Sequence, residues 1–412
     1  MRLYSAKIAD LGKIVTGKTP STKNKENFGG NIPFITPVDM SYNRNVFSTE
    51  RYVSSKGAES VKGCILPPKT VCVSCIGSDM GKSVITTRTS VTNQQINSVI
   101  VNEEHNYMYV YYLMRTLENT IKSLGKNGTA VPILSKSKFS DIDIQVHDLE
   151  FQCQIAKILS AYDDLIENNQ KQIKLLEEAA QRLYKEWFVD LRFPGYENTP
   201  ITDGVPQGWK QKTVEECLAF HGNGGWGKET PTGKNTHPGK VIRGTDINDI
   251  KNGHFEDIPT RYHSDNDICS RTLNKYDLVF ELSNGNINNI GRCLFIDDLI
   301  LQNCGENTIC ASFCKLLRPL DELHALILYL EIQDMQTSGR MLPLKKHGAN
   351  GINNFDFEGF LHHELLIPND TDMVKSLKTI MKKISIIQGE ITLLIEARDR
   401  LLPKLMSGEL EV

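Results

Sequence analysis

An α+β fold is expected for this chain: two mixed α/β globules alternating with two long coiled-coil helices, the second half repeating the first. Three observations predict it. Apolar side chains over 152–187 and 377–405 advance by alternating steps of four and three, the a/d rhythm of a coiled coil. The two stretches align at one offset, Ile173 over Ile391 and Leu183 over Leu401, with heptad phase kept, so they are a duplicated helix. Each follows a block in which apolar residues alternate with a period of two, the mark of strands.

Residues 1–147 form the first globule. Thr70–Ile76 and Val84–Thr87 read as strands bounded by Gly77 and Gly81, and Asn106–Leu117, rich in Tyr and Met, reads as a helix. Residues 148–190 form the central helix, with Asp148 a good N-cap. Its seam holds Ile155, Leu159, Ile166, Asn169, Ile173, Leu176, Ala180 and Leu183. A polar Asn169 in that seam lowers stability and sets register.

Residues 191–206, with Phe193-Pro-Gly-Tyr, Pro200 and Pro206, are a linker. The second globule, 207–368, carries a helix over Leu323–Asp334. Its Ile242-Arg-Gly-Thr-Asp246 resembles Ile35-Thr-Pro-Val-Asp39 of the first globule. Residues 369–412 form the second long helix, capped by Asn369 or Asp370, with Ile384, Ile387, Ile391, Leu394 and Leu401 in its seam and Arg398 at the position of Ala180.

Composition excludes several classes. The chain has 412 residues, 40% hydrophobic and 24% charged, which is globular and far from wholesale disorder. The start Met-Arg-Leu-Tyr-Ser-Ala-Lys lacks an apolar export signal, and the longest clean apolar run, Ala325–Leu330, is too short to span a membrane. Ten cysteines without framework spacing suit reduced thiols, so a soluble cytoplasmic protein is expected. The net charge of −3 hides a split: residues 1–145 carry 18 basic and 11 acidic side chains, residues 196–368 carry 16 and 23. The basic block suits phosphates, and the acidic one meets them only through a local cluster.

Two apparent chemical motifs fail on context. Gly12 to Thr19 satisfies G-x-x-x-x-G-K-T, but Pro20-Ser-Thr-Lys-Asn-Lys follows instead of the helix whose N-terminus would hold phosphate. Cys72-x-x-Cys75 has no second pair at ligand spacing and lies in a strand-like run, where buried thiols are ordinary. Neither a nucleophile–base set nor a metal set emerges, so no catalytic residue and no cofactor are assigned to this chain.

What remains is basic and amide-rich loops. Lys18, Thr19, Thr22, Lys23 and Lys25 suit phosphate oxygens. Ser78, Lys82, Asn93, Gln94 and Gln95 supply the side chains that pair with base edges. In the second globule, Trp226, Lys228, Lys234, Arg243, Asn284, Asn286, Asn288, Arg340, Lys345 and Lys346 form comparable sets. Asn and Ser also fill ordinary turns. Two such globules, each next to a long helix, favour DNA over that reading.

Several stretches carry a family resemblance. They are Gly17-Lys-Thr-Pro-Ser-Thr-Lys with Gly29-Gly-Asn-Ile-Pro-Phe-Ile-Thr-Pro-Val-Asp39; Asp164-Leu-Ile-Glu-Asn-Asn-Gln; Leu183-Tyr-Lys-Glu-Trp-Phe-Val-Asp-Leu-Arg-Phe-Pro-Gly195; and Leu401-Leu-Pro-Lys-Leu-Met-Ser-Gly408. The chain resembles a specificity subunit of a type I restriction-modification system. The resemblance implies two target recognition domains, 1–147 and 207–368, each reading one half of a split asymmetric target in double-stranded DNA. It implies that the two helices pack antiparallel as a spacer. Two modification (methyltransferase) subunits would dock around them, and restriction/translocase subunits would join the full complex. S-adenosylmethionine, ATP and Mg2+ then belong to those partners, and this subunit is non-catalytic. On helix geometry, the 38 residues from Phe151 to Phe188 make a rod of roughly 57 Å. Rival readings are a P-loop nucleotide hydrolase and a coiled-coil scaffold that binds no DNA.

Overall fold

The computed structural model describes residues 3–40, 43–77, 79–125, 133–348 and 351–411. They form two compact units, one of Met1–Glu167 with Leu394–Val412, the other of Asn168–Leu393. Each long helix therefore contributes a segment to both units.

The first long helix runs Leu149–Tyr184, 36 residues or about 54 Å, and passes into a π-turn over Lys185–Val189. Asp148 caps it, accepting the N–H of Phe151 at 3.2 Å. The second runs Lys375–Ser407. It begins later than Asn369 or Asp370, because a 3-10 turn over Asp372–Val374 intervenes and Asp370 accepts the N–H of Asp372 there. Pro403 near the end is tolerated in the last turns of this helix.

In the first unit, five strands order as Gly12–Thr16, Ile96–Val101, Val71–Ser74, Ser83–Thr86 and Asn45–Val46. A smaller sheet pairs Phe28–Ile35 in parallel with Ser90–Thr92. Leu3–Lys7 pairs antiparallel with Asp143–His147, so the strand that leads into the long helix is tied to the start of the globule. The helix Tyr107–Thr116, capped by Asn106, buries Tyr109, Tyr111 and Tyr112. They pack with Ile155 and Leu159 of the first long helix and Leu402 and Leu405 of the second.

The second unit repeats this plan. Its four-stranded sheet orders as Leu218–Asn223, Cys314–Pro319, Leu278–Glu281 and Cys293–Phe295. His237–Ile242 pairs in parallel with Ile309–Cys310, as Phe28–Ile35 does with Ser90–Thr92. Trp209–Thr213 pairs with Glu364–Pro368, the counterpart of the tie in the first unit. The helix Glu322–Thr337, capped by Asp321, is buried on most sides.

The long helices pack antiparallel within each unit. In the first, Ile155 and Leu159 share a core with Leu402 and Leu405, while Asp163 further on meets Arg398 at 2.6 Å. In the second, Asn169 donates to Glu390 at 3.2 Å, while Ala180 and Tyr184 share a core with Leu377. Partner numbers fall as residue numbers rise in both. Ile155, Leu159, Ile166, Ile173, Ile384, Ile387 and Ile391 are buried, whereas Leu176, Leu183, Leu394 and Leu401 are half-buried at the rim of the seam.

Candidate nucleic-acid interface

The polar loops of the first globule begin at Gly17. A Cβ there would lie 2.1 Å from the Asn93 carbonyl oxygen, so only glycine lets the chain pass the neighbouring strand end. Gly12, the other glycine of the apparent phosphate motif, opens a strand, and among the described residues the first α-helix after Thr19 begins at Ser55. The arrangement is the reverse of a phosphate-cradling loop, which leaves a strand and enters a helix. The motif reflects backbone packing.

That packing brings two candidate loops together. The Thr19 hydroxyl donates to Gln94 Oε1 at 2.8 Å, and Asn93 Nδ2 donates to Gln95 Oε1 at 2.9 Å. Lys18, Thr22, Lys23, Lys25 and Gln94 are exposed beside them, with Asn24 capping the turn Lys25–Asn27. The result is an amide-rich ledge with three ammonium groups on its margin. Lys82 pairs with Asp79 at 2.8 Å, and Ser78 lies outside the described residues. Cys72 and Cys75 lie in the core, their thiols pushed up by burial to about 12 and about 11 and hydrogen-bonded to Ser98 and Asn97.

In the second globule the candidates separate into two kinds. Arg243 is half-buried and committed, forked onto Asp246 (2.6 Å) and the Asp257 carbonyl. Arg340 is likewise committed, to Glu331 at 2.8 Å and Asp334 at 2.5 Å. Both are held by neighbouring carboxylates. Asn284 reaches Glu281, and the strand Ser283–Asn284 joins Asn353–Phe355, which pairs with Lys345–Lys346. One small sheet thus gathers Asn284, Lys345 and Lys346, with Lys346 also on Asp356. Asn286 caps the following turn, which contains Asn288. Trp226 is 40% exposed, with the Arg261 guanidinium 4.8 Å from its ring centre, and Lys228 and Lys234 lie along the same loop.

Four backbone hydrogen bonds recur between the globules. Gly17 donates to Ile96 as Gly224 does to Cys314; Asn93 donates to Ile35 as Ala311 does to Ile242; Cys75 donates to Gln95 as Leu282 does to Phe313; and Leu134 donates to Cys75 as Phe355 does to Leu282. A Cβ on Gly224 would meet the Ala311 carbonyl at 2.1 Å, the same squeeze as at Gly17. The two ledges are built alike, and Phe313 stands where Gln95 stands. Sequence reasoning misses Phe313, because a lone aromatic carries no motif. A signal exists in the offset that aligns the long helices, which also carries Gln95 onto position 313.

Residues 5–178 match the family described as the type I restriction modification DNA specificity domain. This segment is similar to type I specificity domains. The chain is 33% identical to the type I restriction enzyme MjaIX specificity subunit of Methanocaldococcus jannaschii over 52% of its own length and 50% of that protein. It is 35% identical to the HindI specificity subunit of Haemophilus influenzae over 41% of this chain and 38% of that one. The chain thus spans half or less of the length of these curated relatives. A crystal structure of a type I restriction-modification S subunit from M. genitalium has the same fold. Its TM-score is 0.51 at 14% identity, covering 98% of this chain and 96% of that one. The first ledge therefore lies within the matched segment, and the second repeats its backbone.

Proposed function

We propose that this chain is the DNA-recognition subunit of a type I restriction-modification complex, with one recognition globule for each half of a split, asymmetric target. The observation that carries this reading is the ledge built twice on one backbone plan, next to each of which amide and basic side chains are exposed. Exposed Lys18, Lys23 and Lys25 supply sequence-independent phosphate contacts, and Gln94 supplies base-edge pairing. Two modification subunits dock around the paired long helices, and restriction subunits join them. Methyl transfer and ATP-driven steps, with their S-adenosylmethionine, ATP and Mg2+, belong to those partners. The scaffold reading, without DNA, gives no reason to build the same ledge backbone twice.

Co-purification with a methyltransferase and footprinting of the complex on DNA test the proposal. Protection of two short blocks separated by a fixed gap is the expected result, and a footprint without sequence preference would count against it. Changing Lys18 or Lys23 to Ala is expected to weaken binding to all sequences alike and to lower the salt slope by about 1 per ammonium removed from a phosphate. Unchanged affinity and slope in a Lys18 variant would remove that loop from the interface. Gln94→Ala is expected to relax preference at one base pair, read by methylation-site mapping.

A further inference from the structure

The two ledges share a backbone but differ in what they present. In the first, position 95 is a glutamine tied to Asn93, and Gln94 beside it is held by Thr19. In the second, the equivalent positions are Ser312 and Phe313, and Phe313 is 58% exposed. Its carbonyl accepts the N–H groups of Leu282 and Ser283, which fixes the backbone that carries the ring. Leaving a phenyl ring in water costs a substantial part of the ~1.5–3 kcal/mol its burial would contribute. Other rings of this unit, such as Phe280, Phe355 and Phe360, stack together inside it. Phe313 therefore stands outside the core, at the position that Gln95 takes in the first ledge.

We propose that Phe313 is a specificity-determining side chain of the second globule, and that it reads DNA by apolar contact with a thymine methyl group in the major groove. The inference rests on the DNA-recognition reading above. A phenyl ring has no donor or acceptor for a base edge, and the C5 methyl of thymine is the one apolar mark a base pair shows in that groove. The first globule, with amides at the same place, reads by hydrogen bonding. The two halves of the target are thus recognised by different chemistry from one scaffold.

The test uses the full chain in its complex and a target whose two half-sites have been mapped. Each thymine of the second half-site is replaced in turn by deoxyuridine, which removes only the methyl. One position is expected to show roughly fourfold weaker affinity, the worth of a buried methyl group. Phe313→Ala is expected to bind the thymine and deoxyuridine targets equally, with first-half-site preference and salt slope unchanged. Because the ring is exposed, its removal should leave the thermal melt in place, which checks folding. The proposal is overturned if no deoxyuridine substitution matters, if Phe313→Ala keeps the methyl preference, or if the second half-site contains no thymine. A complex that binds no defined sequence at all would instead overturn the DNA-recognition reading, so the two failures are distinct.

Discussion

Asp163 and Arg398 lie 235 residues apart in sequence and 2.6 Å apart in the fold, each side chain 4% exposed. The Tyr112 hydroxyl donates to the other Asp163 oxygen at 2.5 Å, and Asp399 takes the Arg398 Nε at 2.8 Å. At the repeat-related positions of the second unit stand Met381 and Ala180, which carry no charge. A buried pair is costly to break, because the remaining charge has no partner and stays out of water. Arg398→Met is expected to cost about 3–5 kcal/mol in urea unfolding. Removing Asp163 as well should recover most of that, short of the Tyr112 hydrogen bond. An Arg398→Met chain as stable as the parent would show that the pair contributes little.

The second unit has its own charged centre. Glu331 is 4% exposed and accepts from Tyr184 (2.7 Å), Arg340 (2.8 Å) and His363 (2.6 Å). Burial pushes its carboxyl up, but the bonds from His363, Arg340 and Tyr184 outweigh it and hold the group at about 2, below its ordinary 4.5. A carboxylate with a depressed value stabilises the fold above its unfolded value and loses that contribution as the pH falls. Acid unfolding between pH 4.5 and about 2 is therefore expected to weaken the second unit, by an amount on the order of 3 kcal/mol. Glu331→Gln should flatten that stretch of the pH profile, measured against the parent chain.

At the scale of elements, the long helices were the most legible part of the sequence. Heptad spacing depends only on which side chains must be covered, and of the seam residues named from it all are buried except the half-buried Leu176, Leu183, Leu394 and Leu401. The start of the second helix was less legible, since Asp370 caps a 3-10 turn before the α-helix begins. Side-chain commitments were not legible at all. Arg243 and Arg340 resemble Lys23 in composition, and only the fold shows that neighbouring carboxylates hold them. In the seam, Asn169 is 8% exposed and donates to Glu390 at the helix surface. Asn169→Leu is expected to raise the melting temperature while loosening register, which cysteine cross-linking across the seam would read. A lower melting temperature would contradict this.

At the scale of the whole molecule, the repeat visible in the sequence is the repeat of the fold, although its offset changes along the chain. Ile35 corresponds to Ile242, whereas Thr92 corresponds to Cys310, so the second globule holds extra residues between these strands. That shift is why no single offset pairs every loop: the helix offset carries Gln95 onto Phe313 but does not carry Ile35 onto Ile242. If the first long helix sets the distance between half-sites, four residues inserted in it, adding about 6 Å of helix, should lengthen the gap in the methylated target and leave both half-sites unchanged. Methylation mapping with an unaltered gap would rule that out.

Residues 394–411 belong to the first unit, where Leu402 and Leu405 close the core around Ile155 and Leu159. During translation the first globule is therefore made early but sealed late. Asp163 leaves the ribosome 235 residues before the arginine that neutralises it. Until then this surface stays open, with its carboxylate and apolar groove exposed to chaperones and to neighbouring nascent chains. Truncation of the second long helix before Arg398 would therefore strip the first unit of part of its core as well as shorten the helix itself.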